Sequence, residues 1–297
     1  MGADTPTGFG CAIYKGNAGS LSVGGYGFQP DLVWIKPQST GDHGRLMDSI
    51  RGSGSLSPNQ TSAEETGSNN FLQSFDPDGF TINTADGGWN SASHTYVAWG
   101  WDMGNTTATN TDGSITSTVR ANPTYGQSIV SYTGTGSAAT VGHGLSGTPE
   151  MIIVKRRSDA DSWAVYHASN TAAPETDALI LNNTSATSDS ALYWNDTAPT
   201  SSLFTIGTHS QVNGSSETYI AYCFDSVTGY SKFGTYTGDA TTNHSKSVTV
   251  GFQPAFLMVK KTSGTGNWGS GGATLYFFYV SWLFDGGCET GLTSFAD

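Results

Sequence analysis

The sequence predicts an all-β protein of tandem antiparallel β-sandwich repeats, lectin-like or jelly-roll-like in outline. Three observations carry that prediction. The stretch Gly27-Phe28-Gln29-Pro30-Asp31-Leu32-Val33-Trp34-Ile35-Lys36 returns in looser form over residues 144–155, and almost letter for letter as Gly251-Phe252-Gln253-Pro254-Ala255-Phe256-Leu257-Met258-Val259-Lys260. A second stretch, Tyr96-Val97-Ala98-Trp99-Gly100-Trp101-Asp102, matches Tyr219-Ile220-Ala221-Tyr222-Cys223-Phe224-Asp225 and Tyr279-Val280-Ser281-Trp282-Leu283-Phe284-Asp285. No segment sustains a 3.6-residue apolar period, so amphipathic helices are not expected. Self-similarity at this spacing marks repeated structural units.

Each stretch has a physical reading. Proline cannot donate to a sheet ladder, so it belongs just before a strand or at its first residue. The apolar, largely β-branched or aromatic residues after it form a strand, which the lysine ends in water. In the closing stretch a period of two places Tyr and Ala/Ser on one face and Val/Ile with the aromatic pair on the other. Both faces are apolar, so an interior strand covered on both sides is expected. A weaker echo links Asp78-Gly79-Phe80-Thr81-Ile82 to Ser202-Leu203-Phe204-Thr205-Ile206.

Taken in order, residues 9–15 form a first strand with a turn at 16–19, and equivalent lead strands fall at 128–134 and 232–238. Short strands follow at 45–51 and 163–167. The polar passage 52–70 is expected to be a surface loop, where recognition tends to sit; residues 169–200 are its counterpart, with a strand at 178–181. Asp76-Pro77-Asp78-Gly79 is a turn set by proline and glycine. These signals divide the chain into a first repeat (1–103), a linker rich in Thr, Asn and Gly (104–123), a second repeat (124–228) and a partial third (229–297). The third lacks middle strands for its apolar run at 275–284. It is therefore expected to dock on the second repeat or on a neighbouring subunit, with Tyr279, Trp282 and Phe284 as assembly residues.

Only 12 % of the 297 residues are charged, 39 are glycine, and the net charge is −12. That balance disfavours nucleic acid and anionic membranes, which require clustered cations. The one basic run, Lys155-Arg156-Arg157, reads as a strand end in solvent. Cys11, Cys223 and Cys288 are odd in number and lack metal-ligand spacing; Cys223 reads as a small buried hydrophobe. The N-terminus lacks a charged n-region and an apolar h-region, and residues 275–284 are too short to span a bilayer, so synthesis in a cytoplasm is expected.

Candidate chemistry is sparse. The six histidines form no zinc-like pair. Gly142-His143-Gly144-Leu145-Ser146-Gly147 lacks the strand-to-helix context of a nucleophile elbow and reads as a turn. Asp76 and Asp78 share one turn, whereas glycoside hydrolysis needs carboxylates facing each other across a sugar; Ca²⁺ binding there is the other reading. Trp89, Trp194 and Trp268 lie in Gly/Asn/Ser/Thr-rich surroundings and are candidates for stacking on a glycan, against the plainer reading that each caps a sandwich edge. No catalytic residue, metal site or cofactor is expected.

The 27–36 stretch, residues 43–52, residues 74–82 and residues 95–101 together resemble a repeat of uncharacterised tailed-phage proteins of marine and cyanobacterial viruses and prophages. Residues 151–157, 163–167 and 217–222 resemble the next repeat of those proteins. The resemblance covers about nine-tenths of the chain and departs after Trp268. It implies a non-catalytic virion structural component, tail-fibre-like or adhesive, made in a bacterial host's cytoplasm. The expected partners are copies of itself, with a trimer favoured, other virion proteins and a host-surface glycan. A capsid decoration protein is the alternative, and a soluble lectin or glycan-degrading enzyme the alternative of another class.

Overall fold

Alternation of apolar residues sets the elements. In the computed structural model, which describes residues 8–66, 71–238 and 247–266, the first part of the chain forms β1 (Phe9–Lys15), β2 (Ser20–Gly24), β3 (Leu32–Pro37), β4 (Arg45–Asp48), β5 (Leu72–Asp76), β6 (Gly79–Asn83) and β7 (Thr95–Trp101). There follow β8 (Thr107–Asn110), β9 (Ser117–Asn122), β10 (Gln127–Thr133), β11 (Ala139–Gly142), β12 (Met151–Arg156), β13 (Ala164–His167), β14 (Asp177–Ile180) and β15 (Ser188–Asp189). A 3-10 turn (Pro174–Thr176) before β14, the one-turn helix α1 (Ala191–Trp194), strand β16 (Leu203–Ile206), the one-turn helix α2 (Ser210–Asn213) and β17 (Thr218–Phe224) complete the described elements.

The protein is all β, and every paired strand is antiparallel. Four strands run in the order β1-β7-β3-β4, and a three-stranded sheet β2-β6-β5 covers one face of them. An eight-stranded sheet runs β15-β14-β13-β12-β17-β10-β9-β8 and is covered by the β11-β16 pair with α1 and α2. The order β1-β7-β3-β4 thus recurs as β10-β17-β12-β13. Both closing strands, β7 and β17, are interior and buried on both faces, as their alternation requires.

Matching bonds accompany the matching order. Tyr14 stacks on Tyr96 at 4.9 Å and donates to the Trp89 carbonyl at 2.7 Å; Tyr132 stacks on Tyr219 at 5.1 Å and donates to the Val212 carbonyl at 2.7 Å. Buried Asn90 accepts from Asn17 N and donates to Gly19 O, while buried Asn213 accepts from Thr135 N and donates to Ser137 O. The glycine that opens each Pro-led stretch has positive φ, +73° at Gly27, +72° at Gly144 and +91° at Gly251. Any Cβ there would be strained, which explains why this position is glycine three times.

Four expectations are corrected. Residues 104–123 are not a linker: they supply β8 and β9, which extend the large sheet beyond β10. Ser117 and Val119 are buried and Thr118 exposed, so a polar hairpin with one solvated face satisfies its backbone in the ladder. Residues 52–66 are not a free recognition loop, because Ser55, Leu56 and Ser57 are buried, Leu56 in the apolar cluster that both sheets share and Ser57 O accepting from Trp163 Nε1. The side chains of Lys155 and Lys260 end in carbonyl cages rather than in water. Residues 256–260 form no ladder among the described residues, although Phe256 and Met258 are buried and Leu257 is exposed, the alternation of a strand.

Candidate functional site: the joint between the two sheets

The outer face of β1-β7-β3-β4 is apolar because the alternation leaves a second set of large residues behind. Phe9, Leu32, Trp34, Val97, Trp99 and Trp101 point away from the first core, and Ile129, Met151, Ile153, Ile220, Tyr222 and Phe224 point away from the second. The two faces meet, and Phe256 and Met258 join them. The Phe256 ring lies 5.4 Å from that of Trp99 and 5.8 Å from that of Trp101. An apolar cavity of about 30 Å³ remains there, lined among others by Trp34, Leu46, Trp101, Trp163, Phe256 and Met258.

Into this apolar joint the chain inserts a charged cluster. The tight turn after β4 carries Arg51, whose side chain is fully buried. Its Nε donates to Asp48 Oδ2 at 2.5 Å, Nη1 to Gly54 O and Glu64 Oε1 at 3.0 Å, and Nη2 to Leu46 O at 3.0 Å and Tyr222 Oη at 3.2 Å. All five guanidinium N–H groups are therefore used. The Tyr222 hydroxyl donates to Asp48 Oδ2 at 2.7 Å, and Arg157 clamps Glu64 Oε2 with Nε and Nη2, both at 2.8 Å. Burial alone would lower the Arg51 pKa, but Asp48, Tyr222 and Glu64 raise it above the ordinary value, so the guanidinium stays charged.

Around the cluster, residues 57–64 act as a clasp. Trp163 Nε1 donates to Ser57 O and Gln60 O, both at 3.1 Å, Glu64 N to Arg157 O at 2.9 Å, and Asp161 N to Thr61 O at 2.8 Å. At the other end Arg120 meets Asp31 at 2.8 Å, and Gln127 donates to Gly8 O and Asp102 O. Burial pushes the Asp31 carboxyl up to about 6, with Arg120 opposing the rise.

The expected site residues lie elsewhere. Trp89 and Trp194 are buried, at 0 % and 1 % exposure, and offer no ring face to a sugar. Trp89 packs on Phe71, and Trp194 fills the second core with Nε1 donating to Asp177 O at 2.9 Å. Large apolar rings in polar loops have closed the ends of the two cores. Trp268, Tyr279, Trp282 and Phe284 lie outside the described residues. Asp78 accepts from Gly27 N at 2.6 Å and Gly25 N at 3.0 Å, bonds that lower its pKa, and Asp76 accepts from Ser74 and Thr81. Both carboxylates therefore hold their own turns. His143 is buried in its turn, with Nδ1 accepting from Leu145 N. Cys223 is a buried free thiol, as expected. Among the described residues no group of three His, Cys, Asp or Glu is arranged to hold a metal ion, and no helix is long and apolar enough to cross a membrane.

A family profile described as a domain of unknown function, DUF7483, matches residues 6–270, which spans both sheets, the joint and the Phe256 segment as one unit of sequence. The chain belongs to the DUF7483 family. No curated protein and no solved structure matches it. In this DUF7483 chain, sequence reasoning missed the Arg51 cluster because its members are remote: Tyr222 lies 171 positions from Arg51 and Arg157 lies 93 from Glu64. The only local signal was Asp48 three residues before Arg51.

The two caged lysines give the DUF7483 chain a pH signature. Burial lowers Lys155 and Lys260 from 10.5 to about 8. Between those values the unfolded chain binds more protons than the folded one, so their contribution to stability rises with pH through that window. Urea midpoints at about pH 7.5 and pH 9 should show the rise, and it should shrink in Lys155→Met and Lys260→Met. A wild-type midpoint falling over this range by the same amount in all three proteins would contradict the assignment.

Proposed function

We propose that this protein is a non-catalytic structural component of a phage particle, tail-fibre-like or adhesive, built by tandem duplication of one β-sandwich unit. The joint is the observation that carries the reading. The buried side chains of Arg51, Asp48 and Glu64 are directed at one another, with Tyr222 and Arg157 bridging the two halves. Such an arrangement fixes one unit against another, as a load-transmitting part needs, and leaves these groups no role in turnover. The recurring hydrogen bonds support the duplication, and the resemblance of the repeats to tailed-phage proteins supplies the setting. Assembly follows the particle's symmetry, with a homotrimer and contacts to other virion proteins. Host attachment is through multivalent weak contacts of the exposed loops with a surface glycan, with Trp89 and Trp194 taking no part.

Cryo-EM of purified particles tests this directly. Density for the chain on a tail or fibre is the expected result. Density spread over the capsid shell would make the protein a decoration protein, and absence from particles would overturn the virion reading.

A further inference from the structure

The clasp at 57–64 has a counterpart in the second half of the chain. Leu56 pairs with Leu46, which lies opposite Trp34, and Leu179 pairs with Val165, which lies opposite Ile153. Trp34 and Ile153 each stand two residues before the lysine of their Pro-led strand, Lys36 and Lys155. The ladders therefore set Leu179 in the place of Leu56, and Thr184 and Thr187 in the places of Thr61 and Glu64. The backbone bonds made from those places match one for one. Asp161, six residues beyond Lys155, donates its N–H to Thr61 O at 2.8 Å, and Gly266, six beyond Lys260, donates its N–H to Thr184 O at 2.8 Å. In the other direction Glu64 N donates to Arg157 O at 2.9 Å and Thr187 N to Thr262 O at 3.1 Å, each acceptor two residues beyond its lysine. The ammonium groups join in, Lys155 Nζ donating to Thr61 O at 3.3 Å and Lys260 Nζ to Asn183 O at 3.1 Å.

We infer that residues 180–187 are a second clasp, and that the clasp is the recognition surface between successive repeats: a loop of one repeat docks on the residues that follow the Pro-led strand of the next. The inference rests on the duplication proposed above. What is recognised is main chain, one N–H and one C=O on each side, with a charge-assisted bond from the strand-end lysine beside them. Glu64 and Arg157 add an ion pair to the first contact, but threonines hold the same two places, 187 and 262, in the second. The docking therefore does not depend on that pair. Its partner is another Pro-led strand that ends in lysine, whatever the side chains of the loop beyond it. Clasp and receiving loop are different surfaces, so the contact has a direction, from each repeat to the one after it. It holds residues 260–266 to the second repeat of the same chain, and it makes Lys155 and Lys260 docking residues.

Amide hydrogen exchange of the full chain, read residue by residue by NMR, tests this. The amides of Glu64, Asp161, Thr187 and Gly266 are expected to exchange at least about 100-fold more slowly than unbonded loop amides. Lys260→Met should speed exchange at Thr187 and Gly266 by about tenfold and leave Glu64 and Asp161 unchanged, and Lys155→Met should do the reverse. Slow exchange at Glu64 and Asp161 with unprotected Thr187 and Gly266 would overturn the second clasp and leave the duplication standing. Unprotected amides at all four positions would overturn both, because the shared contact would be gone. Equal acceleration of all four by either substitution would mean a single opening of the whole joint, and would overturn the reading of two separate docking contacts.

Discussion

Arg51→Met is expected to destabilise the protein by about 3–5 kcal/mol, because Asp48 and Glu64 would stay buried without their shared cation. Methionine keeps much of the side-chain volume, so the loss reports charge and hydrogen bonding rather than a cavity. Urea unfolding followed by tryptophan fluorescence checks it. Tyr222→Phe removes a single hydroxyl that accepts from Arg51 and donates to Asp48. Alone it should cost about 1–3 kcal/mol, since its partners are buried. In the Arg51→Met background the cost should change by a coupling energy of about 0.5–3 kcal/mol, because the two side chains act in one network. Additive effects would mean that the cluster does not couple the two halves, and an Arg51→Met cost below about 1 kcal/mol would contradict its role altogether.

Trp163→Ala is expected to cost about 3–5 kcal/mol through lost burial and the cavity left behind. Trp163 starts from the second half of the chain, packs in the shared apolar joint, and ties Ser57 O and Gln60 O of the first half through Nε1. Trp163→Phe separates the two contributions. It keeps most of the apolar area but leaves those carbonyls without their donor, at about 1–3 kcal/mol. The midpoints should fall in the order wild type, Trp163→Phe, Trp163→Ala. If Trp163→Ala matched wild type, the clasp at 57–64 would not hold the halves together.

The sheet skeleton was legible because strand alternation is a local property. The Pro-led and closing stretches could be read as strands, and β7 and β17 as interior ones, from two apolar faces with a period of two. The hairpin at 104–123 was misread because its strands are polar on the solvent side; Ile115, Ser117 and Val119, spaced by two, were the signal available. The tryptophans were ambiguous for a different reason. A ring in a polar loop can either stack on a ligand or plug the nearest core, and which one it does depends on whether a core lies beneath it.

By itself the sequence determined the all-β class, the threefold recurrence of the Pro-led stretch, and the two-faced nature of the closing strands. Only the tertiary structure decided what the second faces cover. Each sheet's outer aromatic row is buried against the other sheet and against Phe256 and Met258, and the polar loop at 52–66 is drawn in with it. Alternation specifies that a face must be covered, but the free energy of covering it scales with apolar area and has no direction along the chain. The ion cluster follows from the same meeting of faces: Arg51, Asp48, Glu64, Tyr222 and Arg157 come together only when the two sheets are stacked.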